Sequence, residues 1–203
     1  MDGNDSVEDR HAAALLGDSQ YERIKLQRYS LFKLSLPRTL ALQGLILAAL
    51  ALVLPLALSQ PEPTRTLLGG DVLAAEPKFL FLGAYASAIE LVGVLGVCYV
   101  AYRRLTADDV LSEREVHDLL AIEDAATHVS LVTGGAAVAV VHGFFLIGLA
   151  GDPLVGRFQT LVGRNPFEPG IIPISVGGVA VAAAVLAVLA LGLSHLLRGR
   201  LAY

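Results

Sequence analysis

A glutamate and a histidine stand in the middle of apolar runs: Glu90 in AYASAIELVGVLG and His142 in VAVVHGFFLIG. A charged side chain at the centre of a membrane span costs about 2.5 to 3.5 kcal/mol on insertion scales, so a residue of this kind needs a partner or a task. At helical spacing, Glu90 shares a face with Gly83, Ala86, Ser87, Gly93, Val94 and Val97. Most of these are small, and small-residue faces pack against other helices, so Glu90 is expected to point into a bundle. His142 shares its face with Gly134, Gly135, Val138, Ala139 and Phe145. Gly134 and Gly135 give that face, too, an end suited to close packing.

Glu90 lies eleven residues from the outer end of its apolar run and His142 eight, which places both about 12 to 17 Å below one membrane surface. At similar depth they are expected to be able to meet. One reading is a hydrogen-bonded pair that takes up and releases a proton, with Ser87 as a companion, the kind of element that pumps and transporters hold at mid-membrane. The other is structural: Glu90 carries a proton, bonds a backbone or serine oxygen and fixes helix packing. The sequence alone favours the structural reading slightly.

Other groups suggest weaker chemistry. His128 begins the third apolar run and His195 closes the fourth, at the same boundary, a level arrangement open to bis-histidine haem ligation. No aromatic or glycine pattern marks a porphyrin slot around them, and boundary histidines often serve as polar anchors, so no cofactor is expected. Glu113, His117, Asp124 and His128 fall on one helical stripe with i, i+4 pairs that are able to chelate a metal. A charged helix face in water produces the same stripe, and solvated surface is the default reading. Cys98 is the single cysteine, which excludes intramolecular disulfides and multi-cysteine metal sites. No P-loop, nucleophile elbow, zincin or dinucleotide motif is present, and the chain is read as non-enzymatic.

The elements that position these residues follow from composition. The 203 residues are 55% hydrophobic and only 17% charged, with mean hydropathy +0.64, too apolar for a soluble domain of this size. Four runs reach the roughly 20 apolar residues that a spanning helix needs: 40–58, 79–102, 129–150 and 171–193. Pro55 should kink or end the first, and Pro173 falls in the first turn of the fourth. Between the second and third lies a polar helical segment, 106–128, with helix-start signatures at Thr106/Asp109 and Ser112/Glu115. No Gly or Pro interrupts the chain from Ser112 to Gly134, so the third span should begin near Ser112 and run unbroken for about 39 residues. Val116, Leu119, Leu120 and Ala126 lie to one side of this segment, which suggests docking on a partner helix or a second copy.

Lys and Arg are retained on cytoplasmic flanks. Eleven lie before span one, between spans two and three or after span four, against four in the other loops (Arg65, Lys78, Arg157, Arg164). Both ends and the 106–128 segment are therefore expected inside the cell. The predicted architecture is an all-α, four-helix antiparallel membrane bundle, 39–203, with its third helix extended into the cytoplasm. It is preceded by an acidic disordered tail, 1–20, and a basic amphipathic interfacial segment, 21–38. Residues 1–23 lack an apolar signal core, so insertion is expected through the internal helices. In the second outer loop Leu154, Val155, Phe158, Leu161 and Val162 recur at helical spacing, as for a short helix on the membrane surface, and Asn165-Pro166-Phe167 reads as a turn.

Twelve Arg against three Lys, with many Ala, Val and Leu, suit a GC-rich prokaryote and its plasma membrane, and the acid-rich polar segments suit a salt-loving one. The leading expectation is an accessory or assembly subunit that binds other membrane subunits, or further copies of itself, through its small-residue faces and acidic helix. The competing expectation is a proton- or ion-coupled transport component built on Glu90 and His142. A haem-bearing redox subunit ranks third. No nucleic-acid surface is present.

Overall fold

A computed structural model describes Tyr21, Ile24, Lys25 and residues 34–106 and 111–200, the side chain of Asp152 excepted. The 1–20 tail, most of the basic segment and the helix start at Asp109 lie outside the described residues. What is described is helical, with no strand and one isolated bridge, Pro77 to Pro169.

The elements in chain order are α1 (Leu36–Ala51), α2 (Val53–Leu58), α3 (Glu62–Leu67), α4 (Leu80–Thr106), α5 (Glu113–His128), a π-helical turn (Val129–Gly134), α6 (Gly135–Leu149), α7 (Asp152–Val162) and α8 (Val176–Arg200). Four rods are long and apolar enough to cross a membrane: Leu36–Leu58, Leu80–Thr106, Glu113–Leu149 and Val176–Arg200. Their outward faces carry apolar side chains such as Val92, Leu146, Val181 and Val188, all more than half exposed. Lipid, not water, accommodates such a surface.

Several boundaries move from the sequence reading for local reasons. The first rod starts four residues earlier, because Pro37 sits in the first turn of α1, where its missing N–H costs nothing. Pro55 interrupts the same rod: it cannot donate to the Ala51 carbonyl, and the helix breaks at Leu52 before resuming as α2. The fourth rod begins only at Val176, so Pro173 stands outside it. Ser112 caps the third rod as expected. Its Oγ accepts from the Glu115 N–H (3.4 Å), and a Glu115 carboxylate oxygen accepts from the Ser112 N–H (3.0 Å). The rod is 37 residues long, but the π-helical turn divides it. The 152–162 helix forms, with Val155 buried and Leu161 85% exposed. Asn165 Oδ1 accepts from the Phe167 N–H at 3.0 Å, which makes Asn165-Pro166-Phe167 the expected turn.

Packing is closest between α1 and α8. Gly44 brings them together, since a Cβ there would lie 2.8 Å from Leu191 Cγ, and Ser194 Oγ donates to the Pro37 carbonyl at 2.7 Å. Between α4 and the third rod the contacts run in opposite order along the chain: Phe79 stacks on Phe144, Gly93 faces Ser130, and Arg103 pairs with Glu115. Val116, Leu119 and Leu120 are buried in a core shared with Val97, Val100 and Leu40. The apolar side of α5 therefore docks within this chain. The partner helix anticipated for that side is α4, and a second copy is not needed to cover it.

Candidate functional site

Glu90 is the fully buried carboxyl at the centre of the bundle. It faces Gly134, the last residue of the π-helical turn, so closely that a Cβ at Gly134 would overlap Glu90 Oε1. One turn along α4, Gly93 does the same for two other polar residues: a Cβ there would lie 2.6 Å from Gln43 Nε2 and 2.8 Å from Ser130 Cβ. The two glycines let α1, α4 and the third rod close around a polar layer of Gln43, Glu90 and Ser130, all three fully buried.

The hydrogen bonding of this layer is ordered but incomplete. Ser130 Oγ donates to the Ala126 carbonyl (2.8 Å) and accepts from Gln43 Nε2 (2.8 Å). Among the described residues, none donates to Gln43 Oε1 or to either Glu90 oxygen. All three open positions are acceptors, so a proton on Glu90 would add the kind of group the layer lacks. A charge on Glu90 would be costly, because no cation or donor among the described residues is bonded to its oxygens. The π-helical turn sits at this level, where the Gly135 N–H reaches back five residues to Ser130 O. Single π turns of this kind are frequent at functional sites.

His142 does not join Glu90. It lies eight residues, two turns and about 12 Å, beyond Gly134 along the same rod. Its Nδ1 is 2.9 Å from the Val138 carbonyl, and its Nε2 is buried without a partner. Similar depth does not follow from the residue counts, because the two apolar runs do not end at one level. The start of α4 instead meets the third rod at Phe144 and Phe145, several residues before α6 ends, which displaces Glu90 toward Gly134. Ser87 donates to the Gly83 carbonyl of its own helix at 3.1 Å. A Cβ on Gly83 would meet Val179 at 3.2 Å, whereas one on Gly135 would only touch Ile46 at 3.7 Å. Gly83, Gly93 and Gly134 are thus used inside the chain.

The weaker candidates stay apart from this layer. His128 Nδ1 is 2.7 Å from the Asp124 carbonyl, and His195 is exposed on α8. Glu113 and His117 are exposed on α5, and among the described residues no group of three or more His, Cys, Asp or Glu could hold a metal ion.

A second polar cluster, which the sequence reading did not single out, surrounds Glu123 on α5. This carboxylate is buried, with Tyr21 Oη donating to one oxygen and Lys25 Nζ to the other at 2.5 Å. Lys25 also donates to the Leu34 carbonyl (3.2 Å), and the Arg104 guanidinium lies 4.2 Å from the Tyr21 ring centroid. Tyr21 is buried and Ile24 packs on the same core. These three residues of the basic segment face the protein. The signal was present in principle: Glu123 is the acid that falls in line with Val116, Leu119 and Leu120 rather than with the solvated stripe.

Gln43 and Ser130 were likewise overlooked, although an amide within an apolar run is costly for the same reason as Glu90. In comparison with known proteins, no family, no curated protein and no solved structure matches this chain. Function is therefore argued from the site alone.

Proposed function

We propose that this chain is a non-enzymatic, proton-coupled membrane component in which Glu90 binds and releases the proton. One observation carries the reading: a fully buried carboxyl with two unpartnered oxygens, held against a π-helical turn at the middle of the bundle. Buried polar groups in native proteins are nearly always satisfied, and an exception calls for a task. Gln43 and Ser130 are the groups through which a proton on Glu90 would be felt by α1 and the third rod. His142, two turns away, is not part of the element.

Further support comes from what the other conspicuous features already do. Gly83, Gly93 and Gly134 of the small-residue faces and the apolar side of α5, first read as surfaces for partner subunits, are used in packing the helices of this chain together. The accessory-subunit reading retains one observation, the exposed acidic face of α5 with Glu113 and Asp118. A larger complex that co-purifies in mild detergent, and dissociates when those two residues are changed to Lys, would favour it.

We place the bundle in a prokaryotic plasma membrane, antiparallel, with both chain ends and α5 in the cytoplasm. The distribution of basic residues supports this orientation. With Cys98→Ser as background, a cysteine at Arg114 should resist a membrane-impermeant maleimide in intact cells and one at Arg164 should react. The reverse pattern would overturn the orientation.

The functional test is proton flux into vesicles containing the purified chain. Wild-type protein should dissipate or build a pH gradient, or load a co-transported solute, and Glu90→Gln should reduce this to the level of empty vesicles. His142→Ala should retain most of it. Flux that survives Glu90→Gln in a correctly folded protein would remove Glu90 from the function.

A further inference from the structure

At the end of the bundle remote from α5, a cavity of about 620 Å³ opens between the start of α4, the end of α6, α7 and the 164–174 segment. This is within the usual range for small-molecule sites, about 300 to 1,000 Å³. Phe79, Phe144 and Phe158 form its walls, with ring centroids 4.9 Å and 5.6 Å apart for the two successive pairs. Walls of this kind give water too few polar partners to hold it in place.

The polar part of the lining is one-sided. It contains Lys78 and Arg164 and no acidic residue. Glu168 engages Lys78 at 2.5 Å, and no ion pair among the described residues holds Arg164. Asn165 commits its Oδ1 to the Phe167 N–H, which leaves its amide NH₂ as a further donor on the lining. Beside these groups Val162, Ile171 and Ile172 are more than half exposed, so the mouth is apolar on its outside as well. An occupant must bring an apolar chain for the aromatic walls and negative charge for Arg164.

We propose that this cavity binds a membrane lipid with an anionic headgroup. Its chain lies among Phe79, Phe144 and Phe158, and its headgroup oxygens lie against Arg164 and Asn165. The location agrees with that occupant, since the cavity sits where two spanning rods reach their ends, the level at which headgroups meet acyl chains. The proposal is independent of Glu90, which lies about three turns farther along α4 than Phe79.

The test uses the full chain in bilayers with spin-labelled phosphatidylglycerol or spin-labelled phosphatidylcholine, reading the motionally restricted fraction of each. Wild-type protein should prefer the anionic probe roughly fivefold, the selectivity that one basic residue gives near a membrane surface. Arg164→Gln should abolish the preference. So should Val162→Trp, which fills the mouth without altering charge, with Val162→Phe in its place if the larger residue impairs folding. Arg157→Gln, on α7 but not on the lining, should retain it. The proposal is overturned if wild type shows no preference, if Arg157→Gln matches Arg164→Gln, or if the filling variant keeps the preference, which would reduce the effect to surface charge.

Discussion

Glu123→Ala is expected to lower the unfolding free energy in mild detergent by about 3 kcal/mol, the lower end of the cost of removing one partner from a buried ion pair. The lower end applies because the Lys25 side chain is 23% exposed and water recovers part of its lost partner. The loss should be read as a fall in thermal midpoint together with earlier proteolysis near Lys25. Two donors, Tyr21 Oη and Lys25 Nζ, converge on this carboxylate, and removing it takes this acceptor from both. The double variant Lys25→Met/Glu123→Leu should recover much of the stability, because a well-packed apolar pair avoids the desolvation that the ion pair incurs. If Glu123→Ala and wild type melt together, the cluster contributes nothing and the N-terminal segment is held elsewhere.

Adjacent glycines should respond oppositely to the same change. Gly134→Ala places a methyl group on the Glu90 carboxyl and should cost about 1 to 3 kcal/mol, the usual range for overpacking a tight interior. Gly135→Ala meets only Ile46 at 3.7 Å, an ordinary contact. It should be neutral or stabilise by up to about 1 kcal/mol through helix propensity. Glu90→Ala should rescue Gly134→Ala, since the obstacle is then gone, and the non-additivity of the cycle measures the contact directly. Equal effects of the two alanines on thermal stability would contradict the packing described for the polar layer.

What was legible in the sequence and what was not divides along physical lines. The four rods, the Ser112 cap and the burial of Glu90 follow from local quantities: apolar length, capping chemistry and the cost of a carboxyl in lipid. The disruption at Pro55 was equally visible, because a missing N–H acts on its own helix. The pairing of Glu90 with His142 required a relative register between two rods, and nothing local encodes that. The register is fixed by Phe79 against Phe144 and Phe145 and by Gly93 against Ser130, contacts separated by tens of residues along the chain. The π-helical turn was hidden for a related reason, as VSLVTG carries no distinctive residue and the extra bond spacing becomes evident only in the folded backbone. The apolar side of α5 was recognised correctly as a docking face. Its partner proved to be α4 of the same chain.

The account rests on Glu90 being a proton-binding carboxyl, and infrared spectroscopy of the purified chain in lipid tests this most directly. The wild type should show the carbonyl stretch of a carboxylic acid, and that band should vanish in Glu90→Gln while the amide bands of the helices stay unchanged. It should also move to lower frequency when H2O is exchanged for D2O, as the stretch of a carboxyl that carries an exchangeable proton does. A wild-type spectrum without the band, or a band that persists in Glu90→Gln, would contradict the assignment of the proton to Glu90.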